Sequence, residues 1–68
     1  MHMVPVSSSN LSAVGYDNGV LWIAFHSGSL YEYTGVPRHV HDELMRAESH
    51  GKYFHAHIRG VYPYRRIG

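Results

Sequence analysis

Two runs of strand-forming residues flank a short loop that ends in glycine. Val20-Leu21-Trp22-Ile23-Ala24-Phe25 leads into His26-Ser27-Gly28, and Ser29-Leu30-Tyr31-Glu32-Tyr33 follows. Such β-branched and aromatic side chains fit a pleated, half-buried surface, so the stretch reads as a hairpin. A three-residue loop with Gly28 in the left-handed conformation of a bulge pairs Phe25 with Ser29, Ile23 with Tyr31 and Leu21 with Tyr33. A two-residue Ser27-Gly28 turn would instead set the tyrosines beside Trp22 and Ala24. The first register is preferred because it gathers Leu21, Ile23, Phe25, Tyr31 and Tyr33 on one face. Trp22, Ala24, Leu30 and Glu32 then share the other.

The preceding segment agrees with this face. Leu11 to Asp17 reads as a strand, and Asn18-Gly19 is a strong two-residue hairpin signal. That turn pairs Asp17 with Val20, Tyr16 with Leu21 and Val14 with Ile23, adding Val14 and Tyr16 to the apolar side. A three-stranded antiparallel meander results. Val4 to Asn10, with Pro5 and three serines, reads as an extended lead-in. Residues 1–6 are expected to be flexible, the first of them in part left from expression.

Thr34-Gly35 closes the third strand, and Pro37 suits the first turn of a helix, where its missing N–H costs nothing. Val40, Leu44 and Ala47 then recur at helical spacing among charged residues, predicting an amphipathic helix over 37–47. Ser49 is a fitting N-cap for a second, shorter helix. Phe54 and Ile58 lie on one face of it, and Gly60 ends it. Val61 to Ile67 alternates again and reads as a fourth strand, at an edge or bulged because Pro63 has no ladder donor. The predicted class is α+β: a three-stranded antiparallel meander, two helices packed on one face, and a C-terminal fourth strand. All of it forms one domain over 1–68.

At 68 residues without cysteine, neither disulfides nor thiolate metal sites can brace a core of near-minimal size. The chain must pack its aromatics well or associate, and a homodimer through the Trp22 face is expected. No apolar run approaches the roughly 18 residues that span a membrane, so no membrane partner and a cytoplasmic location are expected. A net charge of +1 is too small for bulk attraction to nucleic acid, which leaves a local patch as the only electrostatic route. Seven histidines let the charge rise below about pH 6.5.

The ordered series Ser8-Ser9-Asn10, Tyr16-Asp17, Phe25 with Gly28, Tyr31-x-Tyr33, Gly35-Val36-Pro37, Ala47-x-Ser49-x-Gly51, Phe54, Ile58 and Tyr62 resembles the KTSC domain. That small module occurs at the C-terminus of some lysyl-tRNA synthetases and alone in bacteria and phages. The resemblance runs from about Ser7 to Ile67 and implies an RNA-binding role. His39, His41, His50, His55 and His57 stand outside the motif.

Each candidate site has a structural reading beside the functional one. Tyr31 and Tyr33 could stack on bases or be cross-strand core partners of Ile23 and Leu21. Trp22 is a ligand platform or part of a subunit interface. Tyr62, Tyr64, Arg65 and Arg66 interleave aromatic and basic residues as single-stranded nucleic acid or a nucleotide would require. Successive strand residues point to opposite faces, so Arg65 and Arg66 cannot both join one patch without a bulge. Ser49, Gly51 and Lys52 could hold a phosphate at a helix start or form an ordinary capped turn. His39/His41 and His55/His57 have the wrong helical spacing for the i, i+4 zinc pair, and no metal or cofactor is expected. Ser49-His50 adjacency is not a triad, and the carboxylates form no catalytic pair, so no enzyme is expected.

The functional reading is a non-enzymatic module for RNA or a nucleotide. Lys52, Arg59 and either Arg65 or Arg66 would meet phosphate, with Tyr62 or Tyr64 stacking on a base. The alternative is a protein-interaction or inhibitor module, such as a phage counter-defence protein that sequesters a host factor or signal.

Overall fold

A computed structural model describes residues 2–68. Its elements run β1 (Met3–Pro5), β2 (Leu11–Asp17), β3 (Val20–Phe25), β4 (Leu30–Tyr33), α1 (Arg38–Arg46), α2 (His50–His57) and β5 (Tyr64–Arg66). The strands form one antiparallel sheet in chain order, with both helices on one face. The architecture is the α+β arrangement read from the sequence, with five strands where four were expected.

Both central hairpins take the predicted register. Asn18 (φ 48°) and Gly19 (φ 85°) form the tight turn that pairs Asp17 with Val20 and Tyr16 with Leu21. Gly28 (φ 98°) closes the three-residue loop, its N–H donating to Phe25 O while Phe25 N–H donates to Ser29 O. Ile23 pairs with Tyr31 and Leu21 with Tyr33. Turns that demand left-handed backbone fix parity, and parity decides which face is buried.

The extra strand is β1, in the segment expected to be a flexible lead-in. Met1 lies outside the described residues, but Met3 pairs with Gly15, Val4 with Val14 and Pro5 with Ala13. Gly15 explains the docking: a Cβ there would lie 2.7 Å from Met3 Sδ and 2.9 Å from His2 O. Pro5 is tolerated because β1 is an edge strand. A register shift between Leu11 and Ala13 was not anticipated either. It turns both Leu11 and Val14 into the core at a spacing of three, which plain alternation forbids.

Corrections at the other end are smaller. The first helix is one residue shorter at each end than 37–47, with Pro37 as its extended N-cap residue. Arg59 lies beyond the second helix, in a turn where Val61 and Tyr62 N–H groups donate to Ile58 O. That turn consumes Val61 and Tyr62, so β5 spans only Tyr64–Arg66 rather than Val61–Ile67. It is an edge strand, the first of the two expected arrangements, with Pro63 just outside it.

The core lies between sheet and helices: Leu11, Val14, Leu21, Ile23 and Tyr33 from the strands meet Val40, Leu44, Phe54 and Ile58. Phe54 stands edge-on to Phe25 and Tyr33, each ring centroid 5.5 Å away. Tyr16 reaches across the core edge, its hydroxyl donating to Val36 O at 2.7 Å. On the outer sheet face Trp22 Nε1 donates to Glu32 Oε2 and Arg65 Nε to Glu32 Oε1, at 3.2 and 2.8 Å. The Arg65 hydrogen bond holds the Glu32 carboxyl below its usual range against the desolvation that opposes it.

Candidate functional site

Three chain segments converge beside the second helix. The lead-in is shaped by Ser8, whose Oγ accepts from the N–H groups of Asn10 and Leu11, both at 3.3 Å. His26, in the β3–β4 turn, fastens it: its Nε2 donates to Ser8 O at 2.8 Å and its backbone N–H to Asn10 O at 3.0 Å. The helix starts at Ser49, whose Oγ accepts from Lys52 N–H at 3.2 Å, as an N-cap should. Gly51 lets the lead-in approach, since a Cβ there would sit 3.2 Å from Asn10 Nδ2.

Between these segments opens a cleft of about 650 Å³. Leu11, Phe25 and Phe54 form its apolar floor, while Asn10, His26, Ser49, Lys52, His55 and Arg59 supply polar groups. A second cleft of about 430 Å³ adjoins it, lined by Tyr31, Tyr33 and Tyr64 among others. Phe25, Ser27, Phe54 and Arg59 line both. Arg59 Nη1 lies 3.4 Å from His55 Nδ1. A guanidinium only donates, so the imidazole nitrogen accepts. No carboxylate lines either cleft among the described residues.

Tyr64 is 61 % exposed and leans on Tyr31 and Tyr33, with centroids 5.7 and 5.6 Å away. Tyr33 itself is a core residue, and burial is the main cause that pushes its phenol pKa up, ahead of the neighbouring Tyr64. It remains uncharged in the cleft wall, whereas Tyr31 is half-buried.

The sequence-predicted residues therefore divide. Ser49, Gly51, Lys52 and Arg59 line the first cleft, and Arg59 and Tyr64 the second. Tyr62 packs against the core and lines neither cleft. Arg65 pairs in register with Glu32 and points to the opposite sheet face, away from Lys52 and Arg59. Arg66 lies on the cleft side of the sheet but lines neither cleft, and its Nε donates to Gly68 O at 3.0 Å. His26 and His55 were missed as lining residues, and Asn10 entered only through the motif. Motif residues from distant segments (Asn10, Phe25, Ser49, Gly51, Phe54) meet at this one place, a convergence that only the fold displays. Of the other motif residues, Tyr31 and Tyr33 line the second cleft, while Tyr16 on Val36 O, Asp17 and Gly28 in hairpins, Pro37 before α1 and Ile58 in the core have scaffold positions.

Among the described residues, no three His, Asp or Glu side chains group to hold a metal ion. No helix among the described residues is long and apolar enough to cross a membrane.

Comparison with known proteins places this geometry in a family. The chain resembles a KTSC domain protein of known structure from Yersinia pestis, with a TM-score of 0.93, 41% identity, and coverage of 98% of this chain and 97% of that one. An uncharacterized protein of Stutzerimonas stutzeri is 41% identical over 56 residues, 79% of each chain. A lysine–tRNA ligase of a Nostoc species is 47% identical over 47 residues, covering 69% of this chain but spanning only 8% of the ligase. A family model described as the KTSC domain matches residues 7–62. The chain belongs to the KTSC domain family.

Proposed function

We propose that the protein is a non-enzymatic module that binds RNA or a nucleotide. Phosphate would be held by Lys52 and Arg59 in the first cleft, and a base would stack on Tyr64 in the second. The observation that carries this reading is Arg59, which lines both clefts and links a basic compartment to an aromatic one. Charge-assisted hydrogen bonds from lysine and arginine to phosphate are roughly twice as strong as neutral ones. The exposed Tyr64 ring offers a stacking face whatever the base. Similarity to a segment of lysine–tRNA ligases adds weight to RNA as the ligand.

The test is a titration of labelled single-stranded RNA and a panel of nucleotides at rising salt. Two phosphate contacts on a single strand give a log–log slope of about −1.4, so a threefold rise in salt should weaken RNA binding by about fivefold. No binding at the lowest salt, or affinity indifferent to salt, would sink the reading.

A second reading, a protein-interaction module, draws on the outer sheet face. There half-buried Trp22 lies beside Gly15 and Met3, and Leu30 lies one register step away. The occupant would be a second copy of the chain. Sedimentation at micromolar concentration should then show a dimer that Trp22→Glu converts to a monomer. A wild-type monomer throughout that range removes this reading.

A further inference from the structure

Four basic side chains, Lys52, His55, Arg59 and His26, line a single cleft that no carboxylate enters among the described residues. Two of them carry permanent charge, and two gain charge by protonation. They come from different places: Lys52, His55 and Arg59 from α2 and the turn after it, His26 from the β3–β4 turn. The lead-in contributes only neutral Ser9 and Asn10 to the same lining. The acid nearest in sequence, Glu48, lies in a neighbouring groove with Ser7, Ser8 and His50. The adjoining cleft adds only the phenols of Tyr31, Tyr33 and Tyr64.

We infer that this cleft recognises a phosphomonoester, the terminal phosphate of a free nucleotide or of an RNA end, and that its capture is coupled to protonation of His55. The inference rests on the anion-binding reading above and narrows it. A diester in the interior of an RNA strand carries one negative charge, spread along the chain with its neighbours. A terminal phosphate carries nearly two charges at neutral pH on three acceptor oxygens. Two permanent and two titratable cations lining one cleft match the second better than the first.

The coupling follows from donors and acceptors. His55 Nδ1 accepts from Arg59 Nη1 at 3.4 Å, which requires that nitrogen to be unprotonated. Once Nδ1 carries a proton, the two groups repel and both become donors. A phosphate between them accepts from both, so anion binding favours the protonated imidazole. By linkage, protonation favours the anion to the same degree. His26 differs: its Nε2–H already donates to Ser8 O, and a second proton on Nδ1 adds charge without breaking that bond.

Calorimetric titration in buffers of different ionisation enthalpy tests both parts. The probes are adenosine 5′-monophosphate, adenosine, and one short oligoribonucleotide with either a 5′-phosphate or a 5′-hydroxyl end. The phosphorylated member of each pair should bind at least about tenfold more tightly, in keeping with the strength of charge-assisted contacts. Comparing the nucleotide with the phosphorylated oligonucleotide separates the two sources. The ligand's own second proton titrates near pH 6, so the readout is net proton uptake in wild type minus that in His55→Gln. It should be positive, with wild type binding more tightly than His55→Gln at pH 6 and the gap between them narrowing at pH 8. Equal affinity for phosphorylated and unphosphorylated ends overturns the phosphomonoester assignment. Equal proton uptake in the two proteins overturns the coupling while leaving anion binding intact. Absence of binding by every probe overturns the anion reading and this inference with it.

Discussion

Phe54→Ala is expected to remove about 3–5 kcal/mol of stability, enough to leave much of the protein unfolded at ambient temperature. Small domains hold only a narrow margin of stability, and this one has no disulfide to fall back on. The α2 helix has eight residues, too few to persist on its own. It is anchored to the sheet through Phe54, 6 % exposed, and Ile58, fully buried at its C-cap. Phe54 also meets Phe25 and Tyr33 edge-on, the arrangement favoured by aromatic quadrupoles. Its removal leaves a cavity under the floor of both clefts. Thermal melting followed by circular dichroism provides the measurement, with Ile58→Val as a graded companion expected to cost about 0.5–1.5 kcal/mol. An unchanged melting temperature for Phe54→Ala would mean that α2 does not dock on the sheet through this face.

The parts of the fold that were legible in the sequence share a physical cause. Asn18, Gly19 and Gly28 occupy backbone conformations that few residues adopt, so residue type announces the turn, and the turn fixes the pairing on either side. Ser49 announces the second helix in the same way, because its side chain replaces a missing intrahelical acceptor. What was hidden depends on partners distant in the chain. Strand β1 is three residues long, and it docks because Gly15 leaves room beneath Met3, a fact written in neither segment alone. The bulge near Ser12 reverses the parity of Leu11 without any glycine to mark it. Val61 and Tyr62 have strand character but are used in the turn that lets Tyr62 reach the core.

The site divides along the same line. Helical spacing of seven residues, about two turns, set Lys52 near Arg59, and both do line the first cleft although Arg59 lies in the turn after α2. The choice between Arg65 and Arg66 could not be made from sequence. It depends on Tyr64 pairing with Tyr33, a partner thirty-one positions earlier, and a shift of one residue would exchange the two arginines. His26 reaches the cleft from a turn whose only local signal is its glycine. Its bond to Ser8 O joins segments eighteen residues apart.

That division makes the arginines a direct test of which cations matter, as opposed to how many. Lys52→Ala/Arg59→Ala is expected to weaken binding of a phosphorylated oligoribonucleotide by at least about a hundredfold, since each lost charge-assisted contact is worth about 1.5–3 kcal/mol. The salt dependence should flatten at the same time, because fewer counterions are released when fewer phosphates are contacted. Arg65→Ala removes one positive charge too, yet its side chain lies across the sheet, 2.8 Å from Glu32, and affinity should change by less than about threefold. What Arg65→Ala should alter is Glu32: without the hydrogen bond that depresses it, the carboxyl returns toward the usual 4.5. The native pKa lies below the unfolded one, so the wild-type pair adds stability above about pH 4.5 and loses it as pH falls through the depressed value. An acid-unfolding profile of Arg65→Ala that converges with wild type at low pH would show the pair acting there as a surface contact. Equal losses of affinity in the double variant and in Arg65→Ala would mean that the RNA is attracted to overall charge, and the cleft would lose its claim to be the site.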